Sequence, residues 1–209
     1  MNDLQNDTKH KIINAANTLF YRYGMEGTSI RKIASEANVN IAAINYHFKS
    51  KEHLIIDLFT HNYLWSKNEI LKIQKKYPCN TKTFCLEVFK LFRKNGPSLV
   101  TCFKFLLDDN ISNEECLDRC KIIPEGPPGH EVLQEVIKAE LKMNIKEKHL
   151  RYATKSLSGM IMHKALMLHS KLIKTHINQS GISCQKEIEE SLIFHIEATL
   201  NYLKKLNEH

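Results

Sequence analysis

An all-α fold is predicted by three features of the chain. Its 209 residues include only 7 glycines and 5 prolines, the residues that most often interrupt helices. Apolar residues recur at three- and four-residue spacing along most of the length, the period of a helix with one buried face. The composition is 43% hydrophobic and 25% charged, which supports a packed core and argues against disorder.

The elements follow in order. Thr8 to Tyr23 is predicted as the first helix, with Ile12, Ile13, Ala16, Leu19, Phe20 and Tyr23 on its apolar stripe. Thr8 is its expected N-cap and Gly24 its C-terminal glycine. Thr28 is expected to cap a second, short helix through Ile30, Ile33, Ala34 and Ala37. Asn38-Val39-Asn40 reads as a tight turn, with Val39 as its apolar plug and the small Ala34 where two helices cross. Ile41 to Phe48 is a third helix. Lys49-Ser50 breaks it, and Ser50 caps a fourth that runs from Lys51 to about Tyr77. Two short helices joined by a tight turn after a longer one make the helix-turn-helix plan.

Beyond Pro78 the spacing predicts helix over 83–107, interrupted at Asn95-Gly96-Pro97, loop over 108–130, and helix again over 131–142. Two long helices close the chain, Lys146 to about Thr175 and Cys184 to about Leu206. The expected division is a helix-turn-helix domain over 1–54 and a second helical domain over 55–209.

The stretch "NVNIAAINYHFKSKEHL" carries the chemistry. A helix as short as Ile41–Phe48 fits the major groove and meets base edges near its N-terminus. Asn40, Ala42, Ala43 and Asn45 fall there. Alanine permits close approach and touches thymine methyls; asparagine pairs with adenine or contacts phosphate. Tyr46 and His47 offer rings to sugar and polar tips to phosphate, while Phe48 is expected to point inward. Lys51 opens the next helix, where an ammonium and free backbone N–H groups meet one phosphate. Thr28 and Ser29 are expected to clamp another, with Arg31 beside them.

"GMEGTSIRKIASEANVNIAAINYHFKSKEHLI" closely resembles the DNA-binding domain of TetR/AcrR-type transcriptional regulators, over roughly residues 8–60. Gly24, Thr28-Ser29, Ile33-Ala34, Tyr46-His47-Phe48, Lys51-Glu52 and Leu54 carry the resemblance. Asn38 stands where the family commonly has glycine, and asparagine tolerates the same left-handed backbone. Glycine is also common where Ala42 or Ala43 stands.

The resemblance implies a homodimer that offers one reading head to each half of a palindromic operator. It further implies a small-molecule effector that changes DNA affinity, with repression as the outcome. The closing helices would then pair between subunits through Leu150, Leu157, Ile161, Leu168, Leu192, Ile196, Leu200 and Leu203. Candidate pocket walls are Phe84, Val88, Phe92, Phe103, Leu107, Leu117, Leu133, Ile137, Met160 and His163.

Rival readings remain. Cys116 and Cys120, at i and i+4, can hold a soft metal or form a redox pair. A helical protein-interaction module explains the stripes but not "NYHFKSKE". An enzyme is not expected, because GxSxG, P-loop, HExxH and GxGxxG are all missing from the sequence; no cofactor is expected either. The formal net charge of +7 permits a polyanion partner. Only +1 of it lies in residues 1–60, so placement rather than total charge carries the DNA argument. The polar N-terminus and the lack of a long apolar run predict a cytoplasmic protein with reduced thiols.

Overall fold

The computed structural model describes residues 2–107, 126–170, 173, 175 and 184–206. The described residues form nine helices, which pack into two compact units. One draws on residues 1–64 and 97–123, the other on 65–96 and 124–209.

The first unit contains α1 (Asn2–Tyr23), α2 (Ile30–Glu36), α3 (Ile41–Phe48), the first half of α4 (Lys51–Lys76) and nearly all of α6 (Gly96–Leu106). α1 begins six residues before Thr8. The polar lead-in holds no breaker, and the Asp7–Lys11 ion pair at i, i+4 (2.6 Å) joins its turns. Thr8 therefore lies inside the helix and not at its N-terminus. Gly24 ends α1 at φ +76°, with its N–H donating to Phe20 O at 3.0 Å.

α2 is capped by Ser29, whose Oγ accepts from Lys32 N at 3.3 Å. Asn38 takes φ +52° in the turn, and the half-buried Val39 packs against the core. Asn40 caps α3 through Oδ1, and Ser50 caps α4 by accepting from His53 N. Ile12, Ala16, Phe20, Ile33, Ile44, Phe48 and Leu54 share one core, each at most 1% exposed. α6 joins the same unit. Its Ser98 hydroxyl accepts from Asn17 Nδ2 at 2.8 Å, and Phe105 stacks on Phe59 at 4.4 Å.

The second unit contains the rest of α4, α5 (Thr81–Lys94), α7 (His130–Leu141), α8 (Glu147–Met167) and α9 (Cys184–Lys205). α8 packs against α5, α7 and α9. Leu150, Leu157, Ile161, Leu192, Ile196, Leu200 and Leu203 are all buried in this single chain. The stripe expected to pair subunits is thus consumed within the unit, because α5 and α7 cover it.

α8 also stops at Met167, eight residues short of Thr175. Leu168 is its half-buried C-cap. The stop has a local cause. His169 Nε2 lies 2.9 Å from Arg93 O, and its ring lies against Gly96 so closely that a Cβ there would come within 1.9 Å of it. The stripe residue Leu172 lies outside the described residues.

Candidate nucleic-acid interface

The candidate reading surface is built by caps and by one buried ring. Phe48 and Ile44 anchor the inner face of α3 at 0% and 1% exposure. That fixes the rotation of α3, so Ala42, Asn45 and Tyr46 face outward. Tyr46 is 71% exposed, with its ring and hydroxyl accessible at the surface. His47 is half-buried between neighbouring rings, 5.2 Å from Tyr46 and 6.0 Å from Phe48.

Of the ten candidate DNA contacts, Ser29, Arg31, Asn40, Ala42, Asn45 and Tyr46 are exposed, and Ala43, His47 and Lys51 are partly exposed. Thr28 is a correction. It is 0% exposed, and its hydroxyl donates to Gly24 O at 2.8 Å, so it locks the α1–α2 turn rather than meeting phosphate. Asn40 is restricted: its Oδ1 accepts from Ala43 N at 2.7 Å, which leaves only the NH2 group to face outward.

Two residues join the surface that sequence spacing missed. Ile41, at the first position of α3, is 41% exposed. Lys49 reads as a mere helix break, yet its exposed side chain stands between the end of α3 and Lys51. Glu52, beside them, is occupied locally. Its own backbone N–H and the Ser50 hydroxyl hold its carboxyl below the usual range.

A pair of histidines supports this head from behind. His10 on α1 and His61 on α4 meet edge to face at 5.5 Å, next to the Lys9–Asp57 ion pair at 3.2 Å. Burial, then His10 and Lys9, lower the pKa of His61 from its ordinary 6.5. The fold therefore favours neutral His61. That contribution is complete above about pH 6.5 and fades as pH falls from there through the lower folded value. The melting temperature should drop on acidification from pH 7.5 to 5.5, and His61→Gln should flatten the drop. A slope unchanged by the substitution would assign it elsewhere.

The pocket candidates are only partly gathered. Phe84, Val88, Phe92 and Leu133, with Ile70, Pro128, Gly129, Ser158 and Ile161, line a small, partly open pocket of about 10 Å³, at the lower limit for one water. Ile137 is core and does not line it. Phe103 and Leu107 belong to the first unit, where Leu107 is 78% exposed. Met160 is half-buried and does not line the cavity; His163 is exposed. These differences arise because apolar spacing marks a helix's inner face without saying which cavity it meets. Leu117, Cys116 and Cys120 lie outside the described residues.

Burial raises the thiol of Cys102 to about 12 and that of Cys85 further, so both stay protonated and inert. Among the described residues no three His, Cys, Asp or Glu side chains gather as a metal site would, and no helix is long and apolar enough to cross a membrane.

Comparison with known proteins places this surface in context. Residues 12–58 match the family model of bacterial regulatory proteins, tetR family. "Probable HTH-type transcriptional regulator YttP" of Bacillus subtilis (strain 168) is 48% identical over 56 residues, which cover 25% of this chain and 27% of that protein. The aligned region thus spans about a quarter of that relative's length. A TetR family transcription regulator from Marinobacter aquaeolei VT8 superposes with a TM-score of 0.65 at 14% identity, over 95% of this chain and 98% of that one. The TetR-like regulator LfrR from Mycobacterium smegmatis, solved in complex with proflavine, superposes with a TM-score of 0.61 at 13% identity, over 94% and 97%. At these identities the structural likeness is one of fold.

Proposed function

We propose that this chain, whose residues 12–58 match the tetR family of bacterial regulatory proteins and whose fold is that of such regulators, is a cytoplasmic, effector-responsive repressor of that family that binds a palindromic operator as a homodimer. The proteins it resembles are regulators, not enzymes. The observation that carries the reading is the outward face of α3. Ala42, Asn45 and Tyr46 stand on a helix held rigidly by Phe48, with Arg31, Lys49 and Lys51 at its margins to meet phosphate. The functional domain division proposed is 1–54 for DNA binding and 55–209 for effector binding and dimerisation.

Dimerisation is assigned to the outer faces of α8 and α9. Tyr152, Phe194 and Tyr202 are 57%, 69% and 62% exposed there, and Gly159 has open space where a Cβ would stand. These faces are free for a second copy, unlike the buried stripes. Effector control then follows from differential affinity: a ligand that binds better to a state with a different head spacing lowers DNA affinity by that difference. The nearly filled cavity at Phe84, Val88, Phe92 and Leu133 is the proposed entry point, and it must open to admit a ligand.

The test is binding to duplex DNA from upstream of the protein's own gene, at two salt concentrations. Wild type should protect a palindromic site, Tyr46→Ala and Lys51→Ala should lose it, and affinity should fall steeply with salt. Salt-independent association, or variants that bind as well as wild type, would favour a protein-interaction module instead.

A further inference from the structure

We propose that α3 reads A·T base pairs in the major groove, with Asn45 on an adenine and Ile41 and Ala42 on thymine methyl groups. This rests on the DNA-binding reading above and specifies its substrate.

The argument is one of elimination among side chains. Guanine is read chiefly by a bidentate arginine or lysine on its O6 and N7. α3, "IAAINYHF", contains neither. Adenine is read by an amide that accepts from N6 and donates to N7 at once. Asn40 cannot do this, because its Oδ1 is bound to Ala43 N at 2.7 Å. Asn45 can: it is exposed, and among the described residues its side-chain amide makes no hydrogen bond, so donor and acceptor are both free.

Ile41 lies four residues before Asn45, hence beside it on the same face, and Ala42 bears the same relation to Tyr46. Ile41 is 41% exposed at the first position of the helix, where its branched side chain adds little to the core. An exposed isoleucine next to an exposed alanine and a free amide offers two methyl-bearing groups and one bidentate pair. The A·T base pair presents the complement, a thymine methyl on one side and adenine N6 and N7 on the other. Arg31 on α2 and Lys49 and Lys51 beyond the end of α3 are the cations beside it, so any guanine contact is made from outside α3.

The experiment selects bound duplexes from a randomised pool. The selected site is then remade with deoxyuridine for thymidine, which removes only the methyl groups, and separately with 7-deazaadenine, which removes N7. Wild type, Ile41→Ala and Asn45→Ala are titrated against each, with circular dichroism to confirm that the variants are folded. Deoxyuridine should weaken wild-type binding about fourfold per contacted methyl. Ile41→Ala should lose part of that penalty. 7-Deazaadenine should weaken wild type and leave Asn45→Ala unaffected. Equal wild-type affinity for the thymidine and deoxyuridine duplexes, or a selected core of G·C pairs, would overturn the proposal. Enrichment of no site at all would overturn the DNA-binding reading itself and this inference with it.

Discussion

Phe48→Ala is expected to destabilise the first unit by about 3–5 kcal/mol, the usual range for truncating a fully buried aromatic ring. Phe48 is 0% exposed and belongs to the same core as Phe20 on α1, Ile33 on α2 and Leu54 on α4. Lys9 places its ammonium 5.6 Å from the ring centroid, an additional tie from α1 to the end of α3. No other side chain at the C-terminal end of α3 is fully buried, since Tyr46 is exposed and His47 only half-buried. Removing the ring therefore frees the rotation of α3 as well as opening a cavity. A loss of this size is comparable to the whole stability of a small domain.

The check is thermal unfolding by circular dichroism together with DNA binding at several temperatures. The variant should melt about 10 °C or more below wild type. It should still bind DNA in the cold and lose binding on warming, well before wild type does. Tyr46→Ala should do the opposite, with a nearly unchanged melt and weak binding at every temperature. If Phe48→Ala melts like wild type, the ring does not hold the reading helix and the description of this core is wrong.

The contrast between these two aromatics shows what the sequence made legible. In "NYHF", Phe48 was readable as core and Tyr46 as surface, because the helical period joins Phe48 to Ile44 and the phenol needs a polar outlet. Turn chemistry was readable too: Gly24, Asn38, Asn40 and Ser50 do what their residue types predict. Thr28 failed for a specific reason. Thr28 and Ser29 are both good caps, and only the path of the chain decides that Ser29 takes the helix while Thr28 turns back to Gly24 O. Ile41 was not among the candidate contacts, because its residue type does not show how far the core extends beneath the start of α3.

The long C-terminal stripes failed at the level of tertiary structure. Leu157 and Leu192 look equally suited to a partner subunit and to α5, and a pattern of apolar residues does not name its partner. Tyr152, Phe194 and Tyr202 fall off the stripe and stay exposed, which is why the dimer proposed above is placed on them.

Lys49→Gly is expected to raise stability and weaken DNA binding at once. Lys49 adopts φ +63° and ψ −43°, and Ser50 N donates to Phe48 O at 2.7 Å across it. That is a γ-turn in its strained form, with a residue that carries a Cβ at its centre. Such conformations cost about 1–3 kcal/mol and persist only where the surroundings impose them. Here the surroundings are the anchored Phe48 before it and the Ser50 cap after it. Glycine would adopt the same backbone with little penalty and should recover much of that energy. It also removes an exposed cation that stands one residue past the reading helix and two before Lys51.

Loss of one phosphate contact should lower affinity and reduce the slope of log K against log salt by about 1 per subunit. Lys49→Ala separates the two effects: it removes the charge and keeps the strain, so it should weaken binding as much as glycine does with no gain in melting temperature. If the alanine and glycine variants melt together, the turn is not strained. If both bind DNA with the wild-type salt slope, Lys49 meets no phosphate and the positive margin of the reading head is Arg31 and Lys51 alone. If the predicted split appears, stability was traded at this turn for a charge beside the operator, the mark of a position set by function rather than by folding.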